Sequence, residues 1–143
     1  MYHSDSLLMR VAIEEASRST EPLKCGVVIA KDGKIIARTH NSQRASKDAS
    51  AHAEVKAVRE AGSIVGDKNL AGCVIYCTCE PCVMCLSAIS FAKISRLVYG
   101  VALKDVSPID KRINIDIDTF LERSPNKIEV VRGFCEEECG RIT

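Results

Sequence analysis

No stretch of this 143-residue chain stays apolar for long. Its most hydrophobic runs, GVVIA and CVIYC, fall far short of the roughly 20 residues that cross a bilayer, which excludes a membrane-spanning helix. The opening residues, MYHSDSLLMR, lack the basic-then-apolar order of a secretory signal, and the chain is therefore expected to be cytoplasmic. An excess of one charge is also missing. Twenty Lys and Arg stand against 19 Asp and Glu, a net charge of +1, so no strong electrostatic footprint points to nucleic acid or to an anionic membrane. Internal repeats, low-complexity tracts and linkers are absent, and the length suits one domain over residues 1–143 with a core large enough to need no disulfide staples. With 46% hydrophobic and 27% charged residues, disordered, collagen-like and coiled-coil classes drop out.

What the chain does have is eight cysteines. In a reducing compartment, clustered cysteines point to metal binding or catalysis rather than to disulfides.

A helix is expected over residues 5–18, where DSLLMRVAIEEASR places Leu8, Val11 and Ala12 on adjoining positions, and Ser4 or Asp5 can cap its start. Two strands, near 24–31 and 34–40, meet at KDGK, where Asp-Gly supplies the positive φ angles of a tight hairpin. Residues 41–50 read as a loop, with Ser50 placed to cap a helix starting at Ala51. A buried strand at 72–78 feeds directly into a helix over CEPCVMCLSAISFAK, with Pro81 in its first turn. Further strands are expected at 96–101 and 127–132, a short helix at IDTFLER and a terminal helical turn at FCEEECGR. Strand–helix–strand units imply right-handed crossovers and a sheet with parallel pairs covered by helices, an α/β layered domain.

Cys82 and Cys85 stand three apart at a helix start, so two thiols can converge on one ion. The positive end of the helix dipole lowers their pKa and favours the thiolate. A bare C-x-x-C is also compatible with a redox pair, half of a structural zinc site or two packed hydrophobes. A structural four-cysteine site would need a second pair of suitable spacing, and neither Cys77 with Cys79 nor Cys135 with Cys139 fits well. If His52 supplies a third ligand, the set is two sulfurs and one nitrogen with a position left open, which is the arrangement of a catalytic zinc. Glu54 then has a role as proton carrier. Residues two apart diverge by about 200° around an ideal helix, so His52 and Glu54 can flank a metal only from an irregular first turn.

The combination of HAEV at 52–55 with EPCVMC at 80–85 resembles the H-x-E…P-C-x-x-C signature of zinc-dependent nucleobase deaminases. The likeness runs from about residue 25 to 101 and is nearest to the branch of bacterial guanine deaminases and tRNA adenosine deaminases, carried mostly by AHAEVKAVREAG and TCEPCVMCLSAI. It implies a cytidine deaminase-like three-layer α/β/α sandwich with a central five-stranded mixed sheet, and a homodimer. It implies one zinc ion per chain, held by His52, Cys82 and Cys85, with Glu54 as the proton shuttle. It also implies substrate contacts from the Asn41 side chain, the Ala53 backbone N–H and a stacking Phe91. Cys25, Cys73, Cys77 and Cys79 read as packing residues, and Asp105 and Asp110 as solvated loop acids. Val27, where the branch usually has Ala, is expected to narrow the pocket, and residues 102–126 match neither substrate class clearly.

The favoured reading is a hydrolytic deaminase of a free nucleobase or nucleoside, of guanine or cytosine type. Transfer RNA adenosine-to-inosine editing is the alternative, disfavoured by the neutral charge and the acidic FCEEECGRIT, because phosphate contacts need Lys and Arg. A reading of another class is a catalytically silent zinc-binding subunit, against which Glu54 argues, since a structural site needs no proton shuttle.

Overall fold

The computed structural model describes residues 4–143. Its elements, in chain order, are α1 (Asp5–Ala16), β1 (Gly26–Lys31), β2 (Lys34–His40), α2 (Gln43–Ser46), α3 (Ala53–Val65), β3 (Cys73–Cys79), α4 (Val83–Phe91), β4 (Arg96–Val101), α5 (Leu103–Val106), α6 (Ile117–Arg123), β5 (Glu129–Val131) and α7 (Glu136–Ile142). The strands form one sheet in the order β2-β1-β3-β4-β5. β1 runs antiparallel to β2 and β3, while β3, β4 and β5 are mutually parallel, so the sheet is mixed as the resemblance implies. This is the layered α/β arrangement, with a five-stranded mixed sheet, that the resemblance implies.

Alternation along the strands divides the core. Val27, Ile29, Ile75, Cys77 and Leu97 face the layer of α3, α4 and α6, whereas Val28, Ala30, Tyr76 and Val98 face α1 and α7. Both faces are buried, which explains why β1, β3 and β4 read as continuous apolar runs rather than as alternating ones. The hairpin forms as its residues dictate, with Asp32 at φ 51° and Gly33 at φ 75°.

α1 starts at the Ser4 cap, whose hydroxyl accepts from the Leu7 N–H at 3.3 Å. It is fixed to the sheet by Asp5, which accepts from Tyr76 at 2.5 Å and from both terminal nitrogens of Arg96 at 3.1 and 2.9 Å. Gly26 marks the closest approach: a Cβ there would overlap the Ala12 carbonyl oxygen and lie 2.5 Å from the Ala16 nitrogen. Only a residue without a side chain lets α1 rest on the start of β1.

Four local expectations change. α3 starts at Ala53, with His52 rather than Ser50 in the N-cap position, because His52 is extended at φ −72° and ψ 149°. Pro81 precedes α4 instead of entering its first turn, and Cys82 occupies that N-cap, also extended. The expected loop at 41–50 holds the single turn α2, closed by Lys47 in the left-handed region. Val27 is a core residue, 1% exposed, and does not line the pocket described below. Among the described residues no helix is long and apolar enough to cross a membrane.

Candidate active site

Two helix N-termini meet beyond the carboxyl end of the parallel strands, the crevice where open α/β sheets bind ligands. His52 caps α3 in position but not in chemistry, since its ring makes no capping hydrogen bond. The segment before it is tightly held. Asp48 accepts from the backbone N–H and the hydroxyl of Ser50 at 2.9 and 2.7 Å, and the Ser42 N–H donates to the Ala51 carbonyl at 3.0 Å. Thr39 at the end of β2 donates to the Ala53 carbonyl at 2.6 Å, pinning the start of α3 to the sheet. Cys82 likewise occupies the N-cap of α4 without capping it, and Cys85 follows one turn later. Extended N-cap backbones free both side chains to point across the gap between the helices, which resolves the divergence expected between His52 and Glu54.

The three donor atoms form a nearly equilateral triangle. Cys82 Sγ and Cys85 Sγ are 3.6 Å apart, and His52 Nδ1 lies 3.7 Å from the first and 3.5 Å from the second. With ordinary zinc–sulfur and zinc–nitrogen bonds, a tetrahedral site has S···S edges of about 3.8 Å and S···N edges of about 3.6 Å. The residues fit a zinc ion, and three donors leave the fourth position open. These are the one group of three or more His, Cys, Asp or Glu among the described residues whose ligand atoms converge in this way.

The electrostatics match. The hydrogen bond between Cys82 and Cys85 pulls the Cys82 thiol down to about 4, helped by His52, while the same contact and burial push Cys85 up. The pair thus holds one proton that a dication would release. The Cys82 contact raises His52 above its ordinary value, with burial acting against it. Glu54, 6% exposed, is pushed up by burial, and the neighbouring Cys82 acts in the same direction while a hydrogen bond with Cys85 opposes it.

A cavity of about 270 Å³ opens onto this cluster. Glu54, His52, Asn41, Ala53, Cys25 and Cys79 line it, together with Glu21, Gln43, Glu80 and Leu103. No lysine or arginine is among the lining residues described. Asn41 is 4% exposed with both ends of its amide engaged, Oδ1 accepting from the Cys25 N–H at 3.0 Å and Nδ2 donating to the Leu23 carbonyl at 2.6 Å. Ala53, the first residue of α3, has a backbone N–H without an intrahelical partner.

Phe91 is not brought to this cavity. It ends α4, nine residues beyond Cys82 and therefore about 13 Å along the axis, and it is 82% exposed. Asp105 and Asp110 are exposed and also lie outside it. Cys25, Cys79 and Glu80 are wall residues, where sequence reasoning reads the two cysteines as packing residues and gives Glu80 no role. The first two become neighbours only through the antiparallel register of β1 and β3, in which Val27 opposes Cys77.

Residues 2–101 match the family model described as the cytidine and deoxycytidylate deaminase zinc-binding region. The tRNA-specific adenosine deaminase of Streptococcus pyogenes serotype M1 is 36% identical over 136 residues, covering 94% of this chain and 78% of the relative. A structure solved in work on A-to-I editing by tRNA:A34 deaminases at the wobble position superimposes with a TM-score of 0.83 at 33% identity, over 96% of this chain and 99% of that one. The guanine deaminase of Bacillus subtilis is similar over less, with a TM-score of 0.68 and 36% identity across 72% of this chain and 68% of that one.

Proposed function

The chain belongs to the cytidine and deoxycytidylate deaminase zinc-binding family, a family of hydrolytic deaminases, and from that premise we propose that it converts adenosine to inosine in transfer RNA. The observation that carries this reading is the near full-length likeness to proteins named for that activity, in sequence and in fold. It displaces the free nucleobase as the favoured substrate, since the Bacillus subtilis guanine deaminase is similar over only 72% of the chain. On this reading residues 1–143 act as a single catalytic domain.

His52, Cys82 and Cys85 would hold the zinc. Bound there, zinc supplies the Lewis acidity that brings the pKa of water down towards ~7. Glu54 does the proton work. Its buried carboxylate takes a proton from the water that adds to C6 of adenine, then delivers protons to the ring nitrogen and to the departing amine, so that ammonia leaves and inosine remains. Desolvation suits Glu54 to both halves of the cycle, because a carboxyl held above its ordinary pKa takes up a proton more readily than an exposed one and can pass it on. Asn41 has one amide hydrogen and one oxygen lone pair left over from its two backbone bonds, and these face the substrate. The free Ala53 N–H is the complementary donor.

We assign the protein a homodimeric state as well. α4 is apolar on nearly every side, as in a helix covered all round, yet Phe91 stands in solvent between one groove bordered by Val58 and Ala88 and another bordered by Ile115 and Phe120. A second copy of this surface is the occupant that the resemblance implies.

Free-base deamination stays as a second reading because of one feature, the acidic lining. Glu21 and Glu80 line the cavity and, among the described residues, no lysine or arginine does, which suits an uncharged base better than a polyanion. Incubating the zinc-loaded protein with tRNA carrying adenosine at the wobble position separates the two. Inosine is expected with the wild type and not with Glu54→Gln, while free bases release no ammonia. Ammonia from guanine or cytosine with tRNA left unedited would replace the first reading by the second.

A further inference from the structure

The wall of the cavity holds two thiols that the deaminase chemistry does not use. Cys25 Sγ and Cys79 Sγ are 3.1 Å apart, with Cys25 donating. Their backbones are matched as well. β1 and β3 pair antiparallel with Val27 opposite Cys77, so two residues further on Cys25 stands opposite Cys79. The Cys25 N–H and C=O both bond Asn41 on the β2 side, whereas the Gly26 N–H turns to Thr78. Cys25 and Cys79 are therefore a non-hydrogen-bonded cross-strand pair, for which the Cα separation is about 4.5 Å. That falls inside the range of roughly 4.4–6.8 Å that a disulfide spans.

The remaining cysteines lack this combination. Cys82 and Cys85 belong to the metal triangle, Cys73 and Cys77 have no thiol partner among the hydrogen bonds of the described residues, and Cys135 and Cys139 lie on the opposite face against α1. Both Cys25 and Cys79 line the open cavity, so a small reagent can reach them.

We propose that Cys25 and Cys79 form a thiol-oxidation site in the wall of the substrate cavity, closed to a disulfide by a small peroxide and reopened by a dithiol. The Cys79 sulfur, which accepts the Cys25 hydrogen, attacks one peroxide oxygen; the O–O bond breaks, a sulfenic acid forms on Cys79 and one water leaves. The Cys25 sulfur then attacks that sulfenic sulfur, the S–O bond breaks, and the second water leaves with the Cys25 proton. Two thiols are oxidised by two electrons and the peroxide is reduced to two waters. The hydrogen bond from Cys25 and the contact with the Thr143 hydroxyl hold the Cys79 thiol below its ordinary pKa and give it the thiolate character that the first step needs.

Closure would shorten the sulfur separation from 3.1 Å to about 2.05 Å. It draws together the strand end that leads in three residues to Cys82 and the residue whose N–H holds Asn41. A shift of about 1 Å among substrate-positioning groups can cost up to a hundredfold in rate.

The test uses the full-length zinc-loaded protein treated with a small excess of hydrogen peroxide, followed by intact mass, zinc content and alkylated peptide maps. We expect a loss of two hydrogens, a Cys25–Cys79 crosslinked peptide, zinc retained, and full reversal by dithiothreitol, with turnover lower by about tenfold or more in the oxidised form. Cys25→Ser should abolish the crosslink, and Cys73→Ser should leave it intact. Oxidation that maps instead to Cys82 and Cys85 with loss of zinc, or free Cys25 and Cys79 after peroxide treatment, would overturn the proposal. So would a crosslinked protein whose turnover is unchanged.

Discussion

On the proposed reading Glu54 moves protons, and it is suited to do so because its charge is costly where it stands. Buried in the floor of the cavity beside Cys82 and Cys85, its carboxyl sits above the ordinary range, chiefly through desolvation. Glu54→Gln keeps the shape and removes the proton carrier, so turnover should fall by on the order of 10² to 10⁴-fold while zinc content stays at the wild-type level. A variant that lost zinc together with activity would instead make Glu54 a ligand. The raised pKa also has a stability consequence. Whatever Glu54 contributes to folding is fully present below the carboxyl's unfolded value and is lost as pH rises through the higher folded value. Zinc-free Glu54→Gln should therefore melt above the zinc-free wild type at neutral pH, and the gap should close in acid. Thermal melts of both proteins from about pH 4 to pH 8, a span that brackets the ordinary carboxyl pKa, would check this; equal melting temperatures at neutral pH would count against burial as the cause.

These residues are legible in the sequence for a physical reason: each ligand lies within a few positions of a helix start, and helix starts announce themselves locally. The cavity wall is different. Cys25 and Cys79 meet because of a sheet register, 54 residues apart in sequence, and no local pattern encodes that meeting. Phe91 misleads for a related reason. Its place on the zinc-binding helix is readable, but which end of that helix faces the cavity is not.

At the scale of elements, the position of α1 rests on a single missing side chain. A methyl at Gly26 would overlap the backbone of Ala12 and Ala16, and backbone cannot rotate away as a side chain can. Gly26→Ala should thus cost about 1–3 kcal/mol through displacement of α1. Gly140 offers the contrasting case, exposed within α7, where an added Cβ would meet only a Val101 methyl, at 3.7 Å. Gly140→Ala should gain roughly 0.5–1 kcal/mol from helix propensity alone. Urea midpoints moving in opposite directions would verify the pair, and a loss at both positions would mean that α7 is as tightly packed as α1. The long elements of this fold are readable because hairpin turn, apolar period and cap agree with one another. α2 and α5, each four residues long, are not, since a single turn carries too few positions for a period to register. α3 begins two residues later than its capping pattern predicts because Ala51 and His52 stay outside the helix to serve the site, where local capping preference gives way to the geometry of the triangle.

For the molecule as a whole, the metal site joins the two helices that carry it. A ligand that binds the native state alone adds stability by mass action, about 4 kcal/mol when free zinc is at a thousandfold its dissociation constant. Chelation should lower the wild-type melting temperature accordingly, and Cys85→Ala should show the lower value with or without chelator. An identical drop on chelation in both proteins would show that the metal's stabilising site lies elsewhere.

The outer end of the same helix bears on assembly. Stable interfaces bury on the order of 800 Å² per partner around a few large apolar anchors, and the grooves on either side of Phe91 offer such a centre, with Ile115 and Phe120 beside it. Because Phe91 is 82% exposed, replacing it costs the isolated fold little. Placing a carboxylate there would strand an unpaired charge in any interface that covers it, a penalty of several kcal/mol. In sedimentation velocity the wild type should run as a dimer and Phe91→Glu as a monomer, each with unchanged zinc content and an unchanged circular dichroism spectrum. A wild-type monomer at all concentrations would leave Phe91 without a partner, and a variant that remained dimeric would move the interface to another face.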